Sequence, residues 1–150
     1  MPGSTITITP VAGDIVAGAG TISATSLSTS LLTNSTGSTL PKYAAVYEKT
    51  EGTLASANAA AASTARVIGL LPLAIVNSET GRAPTNGLVT FYIRETDSPA
   101  PAKGDALYLS AAESGALTVT PPTGSGESLV WVGRVSNDGF LVEVSSPILL

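Results

Sequence analysis

The chain has 150 residues, of which 43% are hydrophobic and only 12% are charged, and its net charge is −4. It contains no cysteine and no histidine, which excludes disulfides, thiolate metal sites and the catalytic dyads and triads built on those side chains. The seven Lys and Arg residues are too few for the clustered cations of a nucleic-acid-binding surface, and no apolar stretch approaches the ~20 residues of a membrane-spanning helix. We therefore expect no nucleic acid, membrane, small-molecule substrate or cofactor as a partner, and no enzymatic activity.

The low charge has two interpretations. Charged residues usually make up about 25% of a soluble domain, and here Ser and Thr replace many of them. The chain is either a β-rich domain of the extracellular type, with hydroxyl-bearing strands, or a subunit of a large assembly that desolvates few charges when it docks.

Residues 1–40 have the composition of an extended arm. Thr5–Thr9 alternates threonine with isoleucine, and Pro10 closes this pattern of period two. The remainder is rich in Gly, Ala, Ser and Thr, and Asp14 is its one charged residue. Disordered tails rarely carry so many aliphatic residues, so we expect the arm to make apolar contacts with a partner. The candidate contact residues are Ile6, Ile8, Val11, Ile15, Ile22, Leu27 and Leu31. Alternatively, Ile6–Thr9 and Ile22–Leu32 add strands to the chain's own sheet.

Residues 41–150 have the pattern of an antiparallel β-barrel or sandwich. Short β-prone runs recur between Gly, Pro, Asn and Asp residues, which is typical of such folds. About eight strands are predicted, at Tyr43–Tyr47, Arg66–Leu71, Leu73–Val76, Leu88–Arg94, Asp105–Ser110, Gly115–Thr120, Leu129–Val135 and Phe140–Val144. Of these, Leu88–Arg94 is continuously β-prone and is the strongest candidate for a central strand.

The residues between the strands have identifiable roles. Ala55–Ala65 has helical composition, although a packed loop or a single turn fits its short length and Ser-Thr end equally well. Gly115 permits a positive φ in a chain reversal, and Pro121-Pro122 ends strand pairing. Gly133 permits the close approach of another backbone or of a large side chain.

Two groups of residues are candidates for chemistry or binding. Glu95, Asp97 and Asp105 either converge as paired carboxylates or a calcium site, or are solvated charges of loops and strand ends. Phe91 and Tyr92 are adjacent, so one faces the core and the other faces solvent or a partner. Trp131 lies between two valines, and we expect it in the core rather than on a sugar-binding surface.

Three phrases of the sequence carry a resemblance to a known family. They are ANAAAASTARVIGL at Ala57–Leu70, KGDALYLSAAESGALTVTPP at Lys103–Pro122 and VGRVSNDGFLVEV at Val132–Val144. Their order resembles that of small structural proteins of tailed bacteriophages, especially head decoration or capsid cement proteins. The resemblance covers roughly residues 42–145 and leaves the arm outside it.

The resemblance implies a non-enzymatic virion protein that is made in the host cytoplasm and binds the outer surface of the phage capsid. Its partner would be the major capsid protein, and it would be a homotrimer at threefold or quasi-threefold positions. Related modules also occur in phage fibres, so a head-fibre or tail-fibre module that binds host glycans is the first alternative. A carboxylate-based glycosidase is the second, and it needs two acids about 5–10 Å apart around a cleft.

Overall fold

The computed structural model describes residues 31–150, which form one compact all-β unit. Within this range there is no helix, and so none that is long and apolar enough to cross a membrane. The twelve strands are β1 (Leu32–Asn34), β2 (Ala45–Thr50), β3 (Thr53–Ser56), β4 (Val67–Leu70), β5 (Thr80–Gly81), β6 (Asn86–Val89), β7 (Ala106–Leu109), β8 (Leu117–Thr118), β9 (Ser128–Leu129), β10 (Trp131–Ser136), β11 (Gly139–Glu143) and β12 (Ile148–Leu149). The predicted fold class, a small β-barrel or sandwich, is confirmed.

The first sheet has five strands in the order β4-β2-β3-β1-β5. The antiparallel β2 and β3 are joined through Gly52, whose φ of +80° suits a residue without a Cβ. Strand β1 lies parallel to β3, with Thr33 opposite Thr53, and antiparallel to β5. β1 is therefore an interior strand, and it precedes the domain boundary that composition predicted at residue 41.

The second sheet also has five strands, in the order β6-β11-β10-β7-β8. β10 and β11 form a hairpin around Asn137-Asp138, the turn that the sequence predicted. Gly133 on β10 packs against β11 so closely that a Cβ there would lie 2.7 Å from the Phe140 ring. A third, two-stranded sheet pairs β12 with β9.

The apolar core consists of two clusters on opposite faces of the first sheet. Successive residues of a strand point to opposite faces, so Tyr47 belongs to one cluster and Val46 to the other. The larger cluster joins the two five-stranded sheets; its larger members include Leu107, Leu109, Leu117, Val130, Val132, Phe140 and Val142. The smaller cluster contains Leu32, Leu40, Leu54, Leu71 and Ile75.

The helix favoured by the composition of Ala55–Ala65 is wrong, and the packed loop is what forms. Ala57, Ala59 and Ala65 are fully buried. The Ala57 N–H donates to the Ala45 carbonyl at 2.8 Å, and the Ala59 N–H donates to that of Ser110 at 2.9 Å. Short side chains let this backbone lie against both five-stranded sheets, and those contacts outweigh helix propensity.

Two strand predictions also differ from the structure. Leu88–Arg94 is not a central strand, because β6 ends at Val89 and lies at the edge of its sheet. In place of a strand at Leu73–Val76 there is a single bridge between Ile75 and Leu40. The strand β3 was not predicted, and neither were the two-residue strands β5 and β12, since so short a run carries no periodic pattern.

Candidate functional site

The candidate contact residues of the arm fall mainly outside the part of the chain that the structure describes. Those outside are Ile6, Ile8, Val11, Ile15, Ile22 and Leu27. Leu31 is described, and 55% of its surface is exposed. The next residue, Leu32, packs into the smaller core cluster. The first residue that the structure describes thus presents a large apolar side chain to solvent.

An aromatic pair, the half-buried Tyr43 and the exposed Phe91, joins the two five-stranded sheets at the surface. Tyr43 has a φ of +72°, a strained value for so bulky a residue, and its N–H donates to the Leu71 carbonyl at 2.7 Å. This conformation places its ring against Phe91, with 5.8 Å between centroids and 23° between planes. Phe91 is 64% exposed. Strained backbone is typical of binding surfaces, so the pair is a candidate contact surface.

Charged and polar groups surround this pair. The Lys42 Nζ lies 4.7 Å from the centre of the Tyr43 ring, a cation–π distance. Hydrogen bonds with Lys42 and Thr90 lower the pKa of the Tyr43 phenol. The surface therefore combines two stacked rings with a cation and a hydroxyl group, a composition suited to a partner with both apolar and polar parts.

A cleft of about 390 Å³ opens beside Phe91. Tyr92 and Phe140 line it, with 5.3 Å between their ring centroids, and Arg94 lies at its wall. Tyr92 packs against the larger core cluster while Phe91 faces outward, which confirms that the two rings face opposite sides. The cleft is at the small end of the range of ligand pockets.

Trp131 is not a core residue, and that expectation is wrong. Val130 and Val132 are fully buried, so the alternation along the chain turns the Trp131 ring toward the outer face. The Arg134 guanidinium lies 5.6 Å from its ring centre. The ring lines a surface depression of about 890 Å³, together with Arg66 and Glu143. This is a second aromatic surface, and Phe91 is the more exposed of the two rings.

Two of the three acidic candidates accept separate local hydrogen bonds. Glu95 accepts a hydrogen bond from the Ser110 hydroxyl, and the Asp105 Oδ2 accepts the Ala102 N–H at 2.7 Å. Across residues 31–150, no three acidic side chains come together in an arrangement that could hold a metal ion. The convergence of Glu95, Asp97 and Asp105 as a calcium site is therefore wrong, and the alternative of loop and strand-end charges fits their positions.

Comparisons with protein-family models, with curated proteins and with solved structures found no match to this chain.

Proposed function

We propose that the chain is a non-enzymatic structural protein of a tailed-phage virion. In this proposal it binds the outer surface of the capsid as a homotrimer and stabilises the head by bridging neighbouring copies of the major capsid protein. The order of its three sequence phrases supports this proposal by resemblance. Several of their residues are scaffold positions, such as Gly115 with its φ of +82° and the closely packed Gly133.

The observation that carries the proposal is the set of large apolar side chains on the sparsely charged surface of the domain. Large hydrophobic side chains are exposed at Leu31, Leu73, Val76, Leu88, Phe91, Leu141, Ile148, Leu149 and Leu150. Burial of these side chains against a partner favours binding by about 25 cal/mol per Å² of apolar surface. Because only 12% of the chain is charged, docking desolvates few ions. This combination suits a subunit that is permanently bound in an assembly.

The proposed mechanism assigns attachment to the arm. Thirty residues precede the described domain, and a fully extended chain of that length spans at most about 100 Å. Thr5–Thr9 has the alternation and the low charge that suit addition to the edge of a capsid sheet. In such a strand Ile6 and Ile8 share one face, and they would supply the apolar contacts.

The test compares the full chain with a variant that lacks residues 1–30, which keeps β1 intact. We expect the truncated protein to unfold cooperatively at nearly the same temperature and to lose most of its binding to empty heads, measured by co-sedimentation. Ile6→Asp with Ile8→Asp should weaken binding similarly, since each carboxylate would be desolvated in an apolar contact. Thr5→Asp with Thr7→Asp changes the opposite face and is the matched control. If the truncated chain binds heads as tightly as the full chain, attachment through the arm is wrong.

A glycan-binding fibre module is the second candidate, and the Tyr43–Phe91 pair favours it. An exposed Phe91 ring stacked on Tyr43 beside polar groups provides an apolar surface on which a sugar ring can pack. The discriminating measurement is binding to a panel of host surface glycans, with Phe91→Ala as the variant. Glycan binding that Phe91→Ala abolishes, without binding to heads, would favour the fibre module.

A further inference from the structure

Two strand edges of the domain contain neither a charge nor a proline, and no other described segment covers them, although β12 itself has only two residues. Proteins shield free edges with charges, with proline, with very short strands or with a covering segment. Neither β6 and its extension to Phe91 nor β12 with Leu150 contains a charged residue or a proline. No backbone hydrogen bond from another described segment reaches the residues of β6, Ile148 or Leu149 from outside their sheets.

The other edge strands differ in this respect. β8 is covered, because its Leu117 N–H donates to the Ile93 carbonyl at 2.8 Å and its carbonyl accepts the Glu95 N–H at 2.9 Å. β4 lies between Arg66 and Pro72 in the chain, and the Ala83 carbonyl packs against it at Gly69. β5 leads directly into the charged residue Arg82. These edges are protected against strand addition.

The hydrogen-bond pattern fixes which backbone groups are free on β6. Val135 on β10 bonds to Gly104 and Asp105 and therefore faces away from β11. Backbone direction alternates along antiparallel strands, so Phe140 and Val142 on β11 face β6. Their partners Val89 and Gly87 face back toward β11. Leu88 consequently directs its N–H and C=O to the free edge.

The same argument applies to β12. The Leu150 N–H donates to the Glu127 carbonyl at 2.9 Å, and the Leu150 carbonyl accepts the Gly126 N–H at 3.1 Å. Since direction alternates, Leu149 turns its N–H and C=O away from β9. Pro147 precedes β12 but removes no donor from Ile148 or Leu149.

We propose that β12 of one copy of this chain pairs antiparallel with β6 of a second copy, with Leu149 opposite Leu88. The contact uses two different surfaces, so its repetition builds either a closed ring or an open filament of identical subunits, and we propose the ring. The number three for that ring rests on the proposed function. A symmetric β6–β6 pair would leave β12 uncovered, whereas this contact covers both edges at once.

The side chains fit this register. Leu150 of one copy lies opposite Gly87 of the next, and no atom lies within 4 Å of the position that a Gly87 Cβ would occupy. Ile148 lies opposite Val89, which places two β-branched side chains together. Neither strand contains a charge, so no ion is desolvated when they pair.

The exposed area supports the contact. The apolar side chains at and beside the two edges are 38–64% exposed. They are Leu88, Phe91, Leu141, Ile148, Leu149 and Leu150. At roughly 180 Å² for each fully exposed side chain, close to what an aromatic residue buries, they supply roughly 600 Å². That is more than half of the about 1,000 Å² that a specific interface requires, before any backbone or rim area.

The test is a charge exchange across the contact, followed by analytical ultracentrifugation of the full chain. Leu88→Arg alone and Leu149→Glu alone should each raise the concentration needed for assembly by about 100-fold or more, because the new ion is desolvated without a partner. The double variant should recover most of the assembly, because the two introduced charges face each other between copies. Leu73→Arg, at a 68% exposed position outside both edges, should assemble like the wild type.

The remaining outcomes decide against the contact. A wild-type chain that stays monomeric at millimolar concentration would overturn it. A double variant that remains as dissociated as the single variants would also overturn it. That result is expected of a symmetric β6–β6 pair, in which two arginines would face each other. Head binding by the full chain is measured separately. If head binding persists without the ring, the β6–β12 contact is wrong and the proposed attachment to the head stands. If the ring forms without head binding, the contact stands and the proposed attachment is wrong.

Discussion

The Asn34 Nδ2 donates a hydrogen bond to the carbonyl oxygen of Ile75 at 2.7 Å, joining residues 41 positions apart in the chain. The same nitrogen donates to the Ser38 carbonyl at 2.7 Å. The Oδ1 atom accepts the Thr36 N–H at 3.0 Å and the Thr36 hydroxyl at 2.7 Å. Asn34 is fully buried, and its side-chain amide hydrogen-bonds β1 both to the loop that follows it and to the segment around Ile75.

Replacing Asn34 with alanine should therefore destabilise the domain strongly. It leaves buried donors and acceptors without partners, and we expect a loss of about 3 kcal/mol in the free energy of unfolding, measured by urea denaturation. Asn77→Ala is the control, because the Asn77 Oδ1 also accepts a backbone N–H, from Gly37 at 2.7 Å, but at an exposed site. It should cost less than about 1 kcal/mol. Equal losses would contradict the role of burial.

Two buried serines should respond in opposite directions to alanine. The Ser110 Oγ donates to Glu95 and accepts the N–H groups of Ala112 and Glu113 at 3.0 and 2.9 Å. The Ser128 Oγ is buried without a hydrogen-bond partner. We expect Ser110→Ala to lower the free energy of unfolding by about 2 kcal/mol and Ser128→Ala to raise it by about 1 kcal/mol. A loss at Ser128 would show that its hydroxyl is bonded.

Gly133→Ala should destabilise the second sheet through a steric clash. The new methyl group would overlap the Leu141 carbonyl oxygen and lie 2.7 Å from the Phe140 ring, so β10 and β11 would have to separate. We expect a loss of about 3 kcal/mol in thermal or urea unfolding. Gly37→Ala is the matched control, since its φ is +91° but its surroundings are open. It should cost about 1 kcal/mol, and a similar cost at Gly133 would argue against the clash.

The stability of the domain at alkaline pH should depend on two tyrosines in opposite ways. Burial raises the pKa of the Tyr92 phenol above its ordinary value of 10.0. Above pH 10.0 the Tyr92 phenol ionises in the unfolded chain before it ionises in the folded domain. The free energy of unfolding therefore falls as the pH rises from 10.0 through the pKa of the folded state. The pKa of Tyr43 is lowered, so its ionisation adds stability, beginning below pH 10.0 and complete above it.

Melting temperatures between about pH 9 and pH 11 should separate the two effects. Tyr92→Phe should reduce the alkaline loss of stability relative to the wild type, and Tyr43→Phe should increase it. Both variants should resemble the wild type in pH dependence near neutrality, where each phenol is protonated in both states. An unchanged alkaline profile for Tyr92→Phe would contradict the burial of that hydroxyl.

The elements that the sequence predicted correctly are those with local signals. Asn137-Asp138 lies between two β-prone runs, so the β10–β11 hairpin is determined by turn chemistry and alternation. The opposite directions of the Phe91 and Tyr92 rings follow from adjacency in an extended chain, although adjacency alone did not indicate which ring faces outward. The β-rich fold class follows from the regular spacing of such runs.

The elements that the sequence did not predict depend on tertiary contacts. Ala55–Ala65 has helix formers, but its backbone is hydrogen-bonded instead to Ala45 on β2 and to Ser110 just after β7. The edge position of β6 and the exposure of Trp131 depend on which strands pair, and a run of β-prone residues does not specify neighbours. The one local signal for the C-terminal edge was the uncharged run Ile148–Leu150, directly after Pro147.

The position of β1 determines how the domain would bear tension. β1 runs parallel to β3 and antiparallel to β5 and is bonded on both sides, while Asn34 anchors its far end. A force applied through residue 31 along the strand axis would shear both ladders at once and would not break their hydrogen bonds one at a time. Forced unfolding is governed by the rate of the first rupture, and simultaneous loading keeps that rate low. A chain held in this way resists pulling from its N-terminal side.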